Sequence, residues 1–240
     1  MVEADAGLLR AVYRRLLAAY GPQGWWPAET PFEVCVGAIL TQSAAWSNVE
    51  RAIANLRAAG ALTPEGLRAL PEAELARLVY PAGYFRAKAR KLKAFTDLLF
   101  GRFGGSLEAL LALPAAELRA VLLGTHGIGP ETADCILLYA AGRPSFVVDA
   151  YTRRTFGRLG VRPERDTYQA WQALFTAALP ADPALYNEYH ALLVAHGKAA
   201  CRKEPRCGGC PLLDLCPTGR SEGPGPQPAA AGREARGWSS

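Results

Sequence analysis

Two groups of residues in this 240-residue chain have the types and spacing to do chemistry. The first is Gly127-Ile-Gly-Pro-Glu-Thr-Ala-Asp134, followed one helix and one loop later by Phe146-Val-Val-Asp-Ala-Tyr151. A Gly-x-Gly turn entering a helix N-terminus directs backbone N–H groups, here those of Gly127, Ile128 and Gly129, at an anion. Asp149 then offers a carboxylate to whatever backbone the turn has gripped, and it can also N-cap the helix beginning at Ala150. Glu131 and Thr132 open the helix after the turn, and an acid at that place cannot form an imine, which disfavours the chemistry a lysine there would bring.

The second group is Cys201, Cys207, Cys210 and Cys216, in the pattern C-x5-C-x2-C-x5-C. Four thiolates this close can hold either zinc or a [4Fe–4S] cluster. A zinc ribbon usually pairs two C-x2-C knuckles; only one short pair is present, which favours the cubane and leaves zinc as the alternative. Arg202, Lys203 and Arg206 make the same loop basic. Cys35 and Cys135 lie in apolar stretches and belong to the core. His126, His190 and His196 have no ligand spacing and read as structural.

The elements that must position these groups are helical. Apolar residues recur at helical period over Leu8 to Tyr20, Pro31 to Leu40, Ser47 to Ala59, Phe85 to Phe103, Pro114 to Leu123 and Glu131 to Ala141, and again over Asp149 to Leu159, Asp166 to Leu179 and Pro183 to His196. Shorter helices fit Thr63-Pro-Glu-Gly, Pro71 to Val79 and Leu107 to Ala112. No segment alternates long enough for a sheet, so the fold class is all-α. Lys88, Arg90 and Lys91 read as a solvated face of the long helix. Gly219 to Ser240, rich in Gly, Pro, Ala and Ser, reads as a disordered tail.

A net charge of +5 and an isoelectric point near 9.0 suit a polyanionic partner without proving one. No apolar run approaches the roughly 20 residues of a membrane-spanning helix. The start, Met1-Val-Glu-Ala-Asp-Ala, lacks the basic and apolar regions of a signal peptide. A cytoplasmic protein with reduced cysteines is therefore expected.

Taken together, the hairpin, the aspartate and the cysteines make the chain resemble the endonuclease III superfamily of DNA repair glycosylases, from about residue 8 to 217. The likeness is nearer to the bacterial 3-methyladenine glycosylase branch. It rests on Trp25-Trp26-Pro27, on Trp46 after Leu40-Thr-Gln, on an acid where bifunctional members carry a lysine, and on Lys198 late in the last long helix. Two departures stand out: enzymes of that branch can lack the cluster, and the first cysteine spacer is one residue shorter than usual.

The resemblance implies a two-lobed helix–hairpin–helix fold with a C-terminal cluster loop. Residues 28–137 would form the central helical domain, 1–27 with 138–217 the iron–sulfur domain, and 218–240 the tail. It implies a monomer acting on double-stranded DNA that contains damaged bases, with no membrane partner. Asp149 would serve the sugar, and Trp25, Trp26, Trp46, Glu131 and Lys198 would line the base pocket. Gln42 and Ser43 match the wedge region, and Gly127, Ile128, Gly129 and Thr132 would meet the DNA. The implied reaction is hydrolytic removal of N-alkylated purines such as 3-methyladenine. The alternatives are excision of oxidised pyrimidines with strand cleavage, and lesion binding without catalysis.

Overall fold

A computed structural model describes residues 5–221, and all regular secondary structure among them is helical. Local sequence sets most helix starts. Asp5 caps α1 (Ala6–Tyr20), and Thr30, followed by Pro31 at N1, caps α2 (Pro31–Leu40). After α3 (Trp46–Ala58), Thr63 caps α4 (Pro64–Ala69). Next come α5 (Glu72–Leu78), the 3-10 turn Tyr80–Ala82, α6 (Phe85–Phe103), α7 (Leu107–Leu111) and α8 (Ala115–Leu123). The hairpin then leads into α9 (Pro130–Cys135). Asp149 caps α10 (Ala150–Arg158), Thr167 caps α11 (Tyr168–Ala178) and Asp182 caps α12 (Pro183–Ala199). The cysteine loop ends in a 3-10 turn, Leu213–Leu215, and α13 (Pro217–Ser221).

α2 is apolar all round and correspondingly buried, from Phe32 to Leu40. It packs against α3, α6 and α9, while α12 packs against α1 and α10. The segment after α9 touches both α2 and α12. That segment departs from the continuous helix expected over Glu131 to Ala141. At Ile136–Ala140 the coil widens to a π turn, and the Ala141 N–H donates to the Ile136 carbonyl. Such widenings recur at functional sites, and this one carries Tyr139, whose hydroxyl meets His190 on α12 at 2.5 Å.

The approach to Asp149 is rigid. Ser145, Phe146, Val147 and Val148 are all buried, and Phe146 stacks on Phe175 of α11 with ring centroids 4.1 Å apart. The fully buried Asp134 ties this strand-like segment down. It accepts from Arg119 Nε (2.8 Å) and Nη2 (3.1 Å), Ser145 Oγ (2.8 Å) and Gln172 Nε2 (3.0 Å). Gln172 also donates to the Phe146 carbonyl.

Two expectations are corrected here. Lys88 is not on a solvated face. It is 1% exposed, its Nζ donates to the Ala82 carbonyl, and burial with Lys91 nearby lowers its pKa to about 8. The tail does not begin at 218, because Pro217–Ser221 is helical and Thr218 Oγ1 donates to the Arg158 carbonyl; the rest of the expected tail, 222–240, lies outside the described residues. No helix among the described residues is long and apolar enough to cross a membrane.

Candidate active site

Asp149 sits at the N-cap of α10, where Oδ1 accepts from the Thr152 N–H (2.7 Å) and hydroxyl (2.9 Å). Oδ2 lies 3.6 Å from His190 Nε2, just beyond bonding distance. Burial pushes the carboxyl pKa up, but His190 and the two Thr152 donors outweigh it, so the group lies below its ordinary value. Glu131 goes the other way. Burial first, then the charge of Asp149, raises its pKa against smaller opposing effects of His190 and Arg153. The pair thus splits into a carboxylate that stays ionised and an acid that holds its proton more readily.

Both acids line a cavity of about 520 Å³, within the usual range for a small-molecule pocket. Trp25, Trp26 and Trp46 wall it. Their ring centroids lie 5.8 Å (Trp25–Trp26), 5.3 Å (Trp26–Trp46) and 6.1 Å (Trp25–Trp46) apart. Trp26 and Trp46 also pack against the core, so they serve both wall and scaffold. Lys198 reaches this cavity from the last turn of α12, its Nζ 5.7 Å from the Trp25 ring centroid. Helices α10 and α12 cross closely enough that a Cβ at Gly197 would stand 2.2 Å from Tyr151 Cδ1, so glycine is required there.

A second, more open groove of about 820 Å³ joins the first at Glu131 and carries the hairpin. Gly127 has φ +82°, and a Cβ there would meet the Lys91 side chain at 2.3 Å. The Ile128 N–H is spent on the Thr125 carbonyl (3.1 Å) and its side chain is buried, which corrects the expectation of three consecutive anion donors. The N–H groups of Gly127, Gly129, Glu131 and Thr132, in the turn and the first turn of α9, have no backbone acceptor among the described residues. Gln42 does not project freely: its Nε2 donates to the Gly127 carbonyl (3.1 Å) and Thr132 Oγ1 (2.9 Å), and its Oε1 accepts from Lys91 Nζ. Exposed Ser43, at φ +53°, forms the tip of that turn. Lys91 is therefore part of the hairpin's support.

The four cysteines surround one small apolar pocket behind α10. Arg158 Nη1 donates to Cys201 Sγ at 3.2 Å and the Gly219 N–H to Cys216 Sγ at 3.3 Å, and Cys216 Sγ also lies 3.4 Å from the Arg158 carbonyl. No three His, Cys, Asp or Glu side chains among the described residues converge as ligands of a single metal ion. Arg154 and Arg158 fasten this loop to α10 through the carbonyls of Cys201, Arg202 and Lys203. One helix therefore carries Asp149 at its start and the cysteine loop at its end. Cys35 and Cys135 are buried, as expected.

The structure places Asp149, Glu131, Trp25, Trp26, Trp46 and Lys198 around one cavity. Sequence reasoning missed His190, which lines the same cavity as Asp149. The available signal was weak: His190 falls on the apolar face of a helix whose partner the sequence does not specify.

Residues 36–181 match the family described as HhH-GPD superfamily base excision DNA repair protein. A Methanocaldococcus jannaschii protein, named provisionally as a DNA repair glycosylase, is 46% identical over 217 residues, covering 90% of this chain and 99% of the relative. Endonuclease III of Thermotoga maritima is 30% identical over 81% of this chain and 86% of its own length. Among solved structures, an H. pylori 3-methyladenine DNA glycosylase bound to 1,N6-ethenoadenine aligns with a TM-score of 0.68 at 27% identity, over 80% of this chain and 96% of that one. A non-covalent endonuclease III–DNA complex aligns at 0.78 with 23% identity, over 90% of this chain and 97% of that one, and so speaks to the fold.

Proposed function

The chain belongs to the HhH-GPD superfamily of base excision DNA repair proteins, and within it we propose a monofunctional DNA glycosylase that hydrolytically removes N-alkylated purines. One observation carries this reading: a tryptophan-walled cavity holds an ionised Asp149, and an acid, Glu131, stands where a Schiff-base lysine would be needed. The hairpin N–H groups would grip a phosphate, in a binding mode that weakens steeply with salt. Ser43 and the pinned Gln42 would fill the gap left by the extruded nucleotide. We propose that residues 28–137 and the iron–sulfur portion (1–27 with 138–217) form two lobes that meet the duplex, as a monomer, on the face that opens onto both cavities.

Asp149 would face C1′ of the extruded sugar and stabilise the positive charge that develops as the glycosidic bond breaks, or activate the attacking water. Aromatic faces favour a cationic base by about 0.5–2 kcal/mol, at best roughly a thirtyfold preference. The intrinsic lability of an alkylated base supplies the rest, so its leaving requires no protonation. The H. pylori relative's bound ethenoadenine supports a purine pocket of this kind. Cys201, Cys207, Cys210 and Cys216 would hold a [4Fe–4S] cluster, which when bound would cross-link the C-terminal loop into one rigid unit.

The test uses duplexes bearing 3-methyladenine, thymine glycol or an abasic site. Release of the alkylated base, with strand cleavage only after alkali, is the expected result. Direct nicking at thymine glycol would replace this reading with an endonuclease III-like one, and binding without product would leave a lesion-binding protein.

A further inference from the structure

The two oxygens of Asp149 are differently occupied. Thr152 saturates Oδ1, whereas Oδ2 has no donor at bonding distance and stands 3.6 Å from His190 Nε2. His190 is 5% exposed, and its Nε2 is buried without a hydrogen-bond partner. Its Nδ1 is held by the Tyr139 hydroxyl at 2.5 Å. Burial, then Cys135 and Asp149, push the Tyr139 pKa well up, so the hydroxyl keeps its proton. Oδ2 of an ionised carboxyl can only accept, so a proton on Nε2 suits the atom it faces and leaves Nδ1 to accept from the Tyr139 hydroxyl. A buried N–H without an acceptor is unfavourable, and Oδ2 is the acceptor nearest to hand.

We propose that Tyr139 and His190 are a positioning pair for base removal: the hydroxyl fixes the imidazole tautomer, and Nε2–H closes onto Asp149 Oδ2 when a nucleotide fills the cavity. Oδ1 and Oδ2 are then both held, and the carboxylate has one orientation toward the sugar. The proposal rests on the glycosylase reading above. The other charged or titratable groups around Asp149 are Glu131 and Cys135 on α9, Tyr151, Arg153 and Arg154 on α10 and Lys198 on α12. Arg153 pairs with Asp166, Arg154 with the carbonyls of Gly197 and Cys201, and Lys198 lies over Trp25. None of these donates to Oδ2, so His190 alone is placed to do so.

The experiment measures single-turnover release of 3-methyladenine against pH for wild type, His190→Ala, His190→Gln and Tyr139→Phe. Lesion-DNA affinity and the ring ¹⁵N shifts of His190 are recorded in parallel. His190→Ala should slow release at neutral pH by roughly tenfold to a hundredfold. His190 is the largest of the influences that lower the Asp149 pKa against burial, so removing it should raise that pKa and move the acid limb of the rate to higher pH. His190→Gln, whose amide can place an N–H near the Nε2 position, should recover much of the rate and push the limb back. Tyr139→Phe should retain affinity and lose rate, and the His190 spectrum should shift from the Nε2–H form toward a tautomer mixture. The glutamine and phenylalanine variants preserve volume and keep the test open if the alanine variant unfolds. An unchanged pH profile in every variant, or a wild-type spectrum with the proton on Nδ1, would overturn the proposal. If wild type releases no base, the glycosylase reading fails, while the ¹⁵N spectra still decide the tautomer.

Discussion

Asp149→Asn exchanges one oxygen for an NH2 group while leaving side-chain volume and cap in place. Asn caps helices as well as Asp, so Oδ1 can keep its bonds to the Thr152 N–H and hydroxyl and α10 should stay formed. The loss is a negative charge beside the sugar. Unit charges about 4 Å apart at an effective dielectric of about 20 interact by about 4 kcal/mol, roughly a thousandfold in rate. The new NH2 would oppose His190 Nε2, 3.6 Å from the oxygen it replaces, at a cost to stability of about 1 kcal/mol. The sign of the pH dependence follows from the lowered carboxyl pKa. A group with a folded-state value below its unfolded value stabilises above the unfolded value and loses that contribution as pH falls through the folded one. The stability gap between wild type and Asp149→Asn should therefore be largest at neutral pH and shrink below about pH 4. The assay is single-turnover release of 3-methyladenine under saturating enzyme, with binding to an abasic duplex measured separately. A rate down about a thousandfold with intact binding is expected. A rate within a few-fold of wild type would refute the role of Asp149 at the sugar.

Glu131→Lys should place an amine at the second position of α9, and borohydride reduction should then trap a covalent adduct with abasic DNA that wild type does not form. Glu131→Gln should gain stability relative to wild type as pH rises past the ordinary glutamate value, and show no gain well below it, because burial and then Asp149 raise the folded-state pKa; thermal unfolding across pH reads this directly. Asp134→Ala leaves Arg119, Ser145 and Gln172 without their shared acceptor and should cost about 3–5 kcal/mol in chemical denaturation. Wild type should purify brown, with iron and inorganic sulfide in equal amounts. Cys210→Ser should lose both, along with the melting temperature the cross-linked loop confers.

Those outcomes bear unequally on what could be read from the chain. The all-α class and most helix boundaries follow from local rules: Thr30, Thr63 and Asp149 cap helices because their side chains reach an N–H two or three residues on. The same locality made the Gly127–Glu131 hairpin, Asp149 and the cysteine pattern legible. Lys88 and Lys91 were misread for the opposite reason, and the neighbours of His190 were not legible at all. Helical period tells which residues share a face, but not what that face meets. Lys88 is buried because the Ala82 carbonyl comes to it, and Lys91 joins the hairpin because Gly127 has no side chain to exclude it.

The sequence by itself determined most of the helices, the Gly-x-Gly turn, an acid rather than an amine at position 131 and the four thiols. Only the tertiary structure decided that Tyr139, displaced by a π turn, meets His190 and that His190 meets Asp149. It likewise decided that burial and paired donors move the pKa values of two carboxyls in opposite directions, Asp149 down and Glu131 up. The physical reason is distance along the chain. Capping and turn geometry are settled within a few residues, whereas desolvation and hydrogen-bond partnership depend on what packing brings in from elsewhere.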